Sequence, residues 1–144
     1  MRSIDFAEIN ELKQYHVYSI NRLLSQLSPN AEMTTIERLN EIIESKNTHL
    51  FLATVDGNVA GMCSLALYAT PTGRKAWIED VVVDKDYRGM KIGRQIIEKV
   101  IKYAHKYSPC TIMLTSKPSR IAANALYSNA GFDRKNTNVY KMDI

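Results

Sequence analysis

Two cysteines in 144 residues, Cys63 and Cys110, are too few to staple a fold with disulfides. Both sit inside apolar, strand-like segments and read as core thiols in a reducing compartment. No apolar run approaches the ~20 residues that cross a bilayer. The N-terminal Met1-Arg2-Ser3-Ile4-Asp5-Phe6 has no signal-peptide core, so a cytoplasmic protein without membrane contact is expected. The three histidines, His16, His49 and His105, share no ligand spacing, and neither cysteine has a partner histidine pattern. Neither a metal centre nor a cysteine nucleophile is expected. Repeats, low-complexity segments and linkers are also missing, so residues 1–144 read as one domain.

Charge is present but unevenly placed, with a net value of +4. Residues 1–73 hold five basic and eight acidic side chains, residues 74–106 nine and five, and residues 107–144 five and two. The basic excess suits an anionic small ligand. Aromatic residues do not interleave with the basic ones as they do on a base-stacking platform, so no nucleic-acid partner is expected.

Periodicity gives the elements. Apolar residues from about Phe6 to Leu27 recur at helical spacing, and Ser28-Pro29-Asn30 ends the segment. Thr34-Thr35 offers N-caps to a second helix through Ile43. Strands follow at Leu50–Val55, Val59–Tyr68 and Ala76–Val83, with Asp56-Gly57-Asn58 as a hairpin signal between the first two. A helical stripe runs from Ile92 to Ala104, then a short strand at Thr111–Leu114. Ser119 would cap a helix ending at Gly131, and Val139–Met142 reads as a last strand. Two helices, a β-meander and then β–α–β–α–β make an α/β or α+β layer fold with about four helices.

Between the third strand and the Ile92 helix lies Arg88-Gly89-Met90-Lys91-Ile92-Gly93. A strand, a glycine-bearing turn and a helix N-terminus together form an anion site, because the first turn leaves N–H groups unpaired and carries partial positive charge. A phosphorylated ligand is implied.

With its surroundings the turn is more specific. Val81-Val82-Val83-Asp84-Lys85-Asp86-Tyr87-Arg88-Gly89-Met90-Lys91-Ile92-Gly93-Arg94 resembles the acetyl-CoA signature of the GCN5-related N-acetyltransferases, Gln/Arg-x-x-Gly-x-Gly/Ala after a valine-rich strand. Asn124-Ala125-Leu126-Tyr127-Ser128-Asn129-Ala130-Gly131-Phe132 is similar to the family's second signature. The resemblance extends over nearly the whole chain and implies a mixed, twisted central sheet. Lys91 departs from the pattern, standing where the first signature glycine usually lies; the glucosamine-6-phosphate acetyltransferase branch also accepts a non-glycine residue there. The resemblance implies that acetyl-CoA is held by the backbone of Val81, Val82 and Val83 and by Arg88 through Arg94, with Asn124 and Tyr127 completing the site. It implies a strand bulge that makes room for the thioester, a small-molecule primary amine as acceptor, and a homodimer. The segment Ile78–Val83 especially resembles the amino-sugar-phosphate branch. A non-catalytic acyl-CoA-binding module is the alternative.

Attack on a thioester needs a neutral amine, yet an alkylamine of pKa near ~10.4 is protonated at neutral pH. Glu79 and Asp80 are adjacent carboxylates in an otherwise apolar strand. Alternation sends them to opposite faces and gives Glu79 the face of Trp77 and Val81. Beside an indole Glu79 would have a raised pKa and could act as general base, or it pairs with Lys75 or Arg74. Asp80 reads as structural or, with Trp77, as part of the acceptor site. By the resemblance Tyr127 is the general acid for the departing thiol, as against a packing aromatic. Arg120 either touches a cofactor phosphate or an anionic acceptor, or is solvated.

Overall fold

The computed structural model describes residues 2–144. Its elements run β1 (Ile4–Glu8), α1 (Gln14–Leu27), α2 (Ile36–Glu44), β2 (Thr48–Val55), β3 (Asn58–Thr70), β4 (Gly73–Val83), α3 (Ile92–Ala104), β5 (Cys110–Met113) and α4 (Ile121–Asn129). The five strands form one sheet in the order β1-β2-β3-β4-β5. All neighbours are antiparallel except β4 and β5, which run parallel. The α/β layer fold read from the sequence is therefore present, as a mixed sheet with helices on both faces.

Each face buries its own core. Ile20 and Leu23 of α1 and Leu39 of α2 pack on Leu50, Leu52, Met62 and Val82. On the other face Ile92, Ile96, Ile97 and Val100 of α3 and Tyr127 of α4 pack on Phe51, Cys63, Leu65, Ala76 and Ile78. The apolar side chains along α3 recur every three or four residues, which is why one stripe of that helix can be wholly buried while Arg94, Glu98 and Lys99 stay in water. Thr35 caps α2, its Oγ1 accepting from the Arg38 N–H at 3.2 Å. Asp56 and Gly57 both adopt positive φ, 50° and 85°, giving the two-residue turn that matches strand twist between β2 and β3.

Four local expectations are corrected. The segment expected to start a helix at Phe6 is instead β1, paired with β2 from Ile4↔Val55 to Glu8↔Phe51. Ile4, Phe6 and Glu8 are half-buried while Asp5 and Ala7 are exposed. That is a period of two, which the helical spacing from Ile9 onward had masked. The helix expected to be capped by Ser119 begins at Ile121 with Arg120 in the cap position and no side-chain cap. Val139–Met142, expected as a strand, belongs to no element and is exposed. The fourth concerns β4. Glu79 pairs with Ser64 and Val82 with Met62, so Asp80 and Val81 together oppose Cys63. This is a β-bulge, and Asp80 sits in it at φ 52°. One extra residue shifts the alternation. Val82, not Val81, lies on the face of Trp77 and Glu79 against the α1–α2 core, whereas Val81 and Val83 turn toward α3. Asp80 and Glu79 are both exposed, and the Asp80 charge acts on Glu79.

Candidate active site

Pairing between β4 and β5 ends at Trp77↔Met113, although β4 continues to Val83. Beyond that point β4 has a free edge, and a cleft of about 770 Å³ lies between it, the turn before α3, and α4. Val81, Val82 and Val83 form one wall, Arg88, Gly89, Lys91, Ile92, Gly93 and Arg94 the anion-facing end, and Arg120, Leu126 and Tyr127 the opposite wall. Gln26 and Leu27 of α1 close a further side; nothing in their sequence pattern had pointed to them.

The end of the cleft at α3 has the features that suit an anion. The first backbone bond of that helix runs from the Gln95 N–H to the Lys91 carbonyl at 3.1 Å, which leaves the N–H groups of Ile92, Gly93 and Arg94 without intrahelical partners. Gly93 has an ordinary helical backbone, so its lack of a side chain concerns space. A Cβ there would lie 3.6 Å from Val83 Cγ2 and 3.9 Å from Leu126 Cδ2, both cleft-lining residues. Any longer side chain would fill the cradle. Arg94 is paired along its own helix with Glu98 at 2.8 Å.

Lys91 occupies the helix N-cap in the left-handed region, φ 60° and ψ 26°. This is the conformation for which glycine is the unstrained residue, so the departure from the signature has a backbone cost of roughly 1–2 kcal/mol. Replacement by glycine also loosens the unfolded chain, which offsets part of the gain. Lys91→Gly is expected to raise the melting temperature by roughly 2–4 °C, read by calorimetry.

The turn is anchored from beneath. Asp84 is 1% exposed and accepts from Arg22 Nε at 2.8 Å and from the Asp86 N–H at 3.0 Å. Arg22 Nη2 also donates to Asp86 at 2.8 Å, and Gln26 Oε1 accepts from the Lys85 N–H at 2.8 Å. The second half of α1 is thus latched to the loop that carries Arg88. The Arg22 guanidinium, first, and the Asp86 amide hold the Asp84 carboxyl below its usual range against the opposing effect of burial. A depressed folded pKa contributes stability at pH above the unfolded value near ~3.9 and loses it as pH falls through the folded one. Asp84→Asn is expected to cost about 2 kcal/mol at neutral pH, since hydrogen bonds to a charged group are lost. In a thermal melt this is a fall of roughly 8 °C, shrinking toward pH 3. This latch was missed in the sequence. An aspartate closing a strand gives no hint of a partner 62 residues earlier.

Tyr127 is 7% exposed and its ring lies edge-on to Phe132 at 6.3 Å. Burial raises its phenol pKa, the Arg120 charge lowers it, and the Cys63 thiol adds a smaller upward push. Glu79 and Asp80 lie outside the residues that line the cleft, at the bulge. Burial, then Asp80, pushes the Glu79 carboxyl up, and burial pushes Asp80 up. Trp77 precedes them on the face of Glu79, its Nε1 donating to the Tyr68 hydroxyl at 2.7 Å. Asn124 does not face the cleft; its Nδ2 donates to the Lys117 carbonyl at 3.0 Å and ties α4 to the preceding loop. Met90 packs partly buried against the α3-side core. Among the described residues no cluster of three or more His, Cys, Asp or Glu could hold a metal, and no helix is long and apolar enough to cross a membrane.

Residues 17–132 match the model of the acetyltransferase (GNAT) family. Glucosamine 6-phosphate N-acetyltransferase 1 of Oryza sativa subsp. japonica is 27% identical over 123 residues, covering 79% of this chain and 73% of that protein. A Xenopus tropicalis protein named "Probable N-acetyltransferase camello" is 26% identical over 125 residues, covering 87% of this chain but only 56% of its own length. The solved structure of an aminoglycoside N-acetyltransferase in complex with CoA superposes with a TM-score of 0.81 at 17% identity, over 99% of this chain and 96% of that one. The splayed strands, the anion-facing turn and the family match agree: this chain belongs to the GNAT family of acetyltransferases.

Proposed function

We propose that the protein transfers an acetyl group from acetyl-CoA directly to the primary amine of a small molecule, such as an amino sugar or a polyamine. The observation that carries this reading is the cleft itself. Unpaired N–H groups at the start of α3, the bare Gly93 cradle and the Arg88 and Lys91 charges suit a pyrophosphate, while the free edge of β4 suits the amide-bearing arm of the cofactor. Bound acetyl-CoA supplies the thioester. The chain's own residues supply the proton handling. Glu79 takes a proton from the ammonium or the attacking nitrogen, directly or through water, and Tyr127 gives one to the sulfur as the C–S bond breaks. A backbone N–H near Val81 polarises the acetyl carbonyl.

Two observations support a cationic acceptor on the α1–α2 side of the sheet. Glu79 and Asp80 stand exposed together because of the bulge, and Trp77 with Tyr68 forms an aromatic wall on the face of Glu79. Such a wall suits the apolar face of a sugar or an alkyl chain. Arg120 stands at the cleft beside Tyr127, where it suits a cofactor phosphate or an anionic group on the acceptor.

The test is a panel of amines, including glucosamine 6-phosphate and polyamines, assayed by CoA release from acetyl-CoA. Saturable release with at least one primary amine is the expected result. Tight acetyl-CoA binding with no release across the panel would instead favour a non-catalytic acyl-CoA-binding module.

A further inference from the structure

The turn between β4 and α3 has little of its own to hold it. Gly89 and Lys91 both stand at positive φ, 85° and 60°. Among the described residues, the N–H groups of Gly89, Met90, Lys91, Ile92, Gly93 and Arg94 donate to no backbone acceptor. Such a row of donors can be aimed at an anion only from its two ends. One end is α3, fixed because Ile92 and Ile96 are packed in the core. The other is a single 3-10 turn, Lys85–Tyr87, none of whose residues is buried. Its closing bond, from the Arg88 N–H to the Lys85 carbonyl, is long at 3.5 Å.

What fixes that second end comes from α1. Arg22 spans it as a fork, with Nε donating to Asp84 at 2.8 Å and Nη2 to Asp86 at 2.8 Å. One helical turn later Gln26 accepts from the Lys85 N–H at 2.8 Å. Asp84 is itself rooted in the sheet, its N–H donating to the Ala60 carbonyl at 2.7 Å. Arg22 is not among the residues that line the cleft, so any influence it has on a ligand passes through the turn.

We propose that Arg22 is a positioning residue for the cofactor, setting the aim of the Gly89–Arg94 donors and of Arg88 at the diphosphate without touching it. The inference rests on the acetyl-CoA reading above. A lysine supplies the same charge but not the planar fork that joins two carboxylates. Asp86 separates geometry from charge. By charge alone a carboxylate just before Arg88 opposes an anionic ligand. As the second anchor of the Arg22 fork it instead holds the turn in the shape that binds.

The experiment is equilibrium binding of CoA to the full chain and to its Arg22→Lys, Asp86→Asn and Arg88→Ala variants, with circular dichroism to show that each is folded. Arg22→Lys and Asp86→Asn should each weaken CoA about tenfold, although the second removes a negative charge. Adding Arg22→Lys to Arg88→Ala should cost scarcely more than Arg88→Ala alone, since both act through one side chain. In turnover the Arg22→Lys loss should fall on the KM for acetyl-CoA rather than on kcat. Parent-like affinity in either variant, tighter binding by Asp86→Asn, or fully additive losses with Arg88→Ala overturns the proposal. A parent chain that binds no CoA overturns the acetyl-CoA reading together with this inference. A parent that binds CoA beside variants that bind it equally well overturns this inference alone.

Discussion

Tyr127→Phe is expected to lower kcat by about a hundred- to a thousandfold while leaving acetyl-CoA affinity almost unchanged. The ring is buried against the α3-side core and keeps its packing in the variant; only the hydroxyl goes. The direction of the pKa shift sharpens the expectation. Burial raises the phenol, so Tyr127 stays protonated through neutral pH and is always available as a donor. The same shift makes it a weaker acid. Donation to a thiolate that titrates near ~8.5 was already uphill by about two units from an ordinary phenol near ~10. If Tyr127 is the acid, proton transfer must accompany C–S cleavage; the Arg120 charge opposes the upward shift of the phenol. The checks are steady-state kinetics with equilibrium binding of acetyl-CoA, and a thiol leaving group of lower pKa, which should recover much of the lost rate. Unchanged kcat in Tyr127→Phe leaves the tyrosine a packing residue only.

Glu79→Gln is expected to lower kcat/KM by about a hundredfold at neutral pH, again without loss of acetyl-CoA binding. Glu79 carries a raised pKa, from burial first and from Asp80 second. A general base works only when deprotonated, so the acid limb of the pH profile should sit above the ordinary glutamate value near ~4.3, and activity should rise as pH passes through it. The glutamine variant should lose that limb. Asp80→Asn removes the neighbouring negative charge and should move the limb to lower pH while retaining most of the rate. A limb that stays in place in Glu79→Gln would assign the base to another group.

The phosphate-facing turn was legible because its physics is local: a glycine-bearing loop, a basic residue and a helix start are adjacent in sequence. The same holds for α3, whose buried stripe is written in its spacing, and for the Asp56-Gly57 hairpin. Long-range pairing was less visible. Phe6 looked helical because the helical spacing from Ile9 onward overlapped it, and only β2 across the sheet makes residues 4–8 a strand. Arg22 meets Asp84 because α1 crosses the end of β4, which no local pattern encodes. The face of Val81 was misread for a subtler reason. Strict alternation is the right rule for a strand until one residue is inserted, and Ile78-Glu79-Asp80-Val81 carries no glycine to announce the insertion.

That single inserted residue also divides the labour of β4. Upstream of Asp80 the strand carries Trp77 and Glu79 on the α1–α2 face; downstream its valines line the cleft proposed to hold the cofactor. The two halves are uncoupled in register. Substitutions before the bulge can therefore change the α1–α2 face without shifting the valines that line the cleft. Deleting Asp80 would instead restore strict alternation and turn the valines onto the opposite faces. The strand is in effect spliced from two registers, and its most informative residue is the one that fits neither pattern.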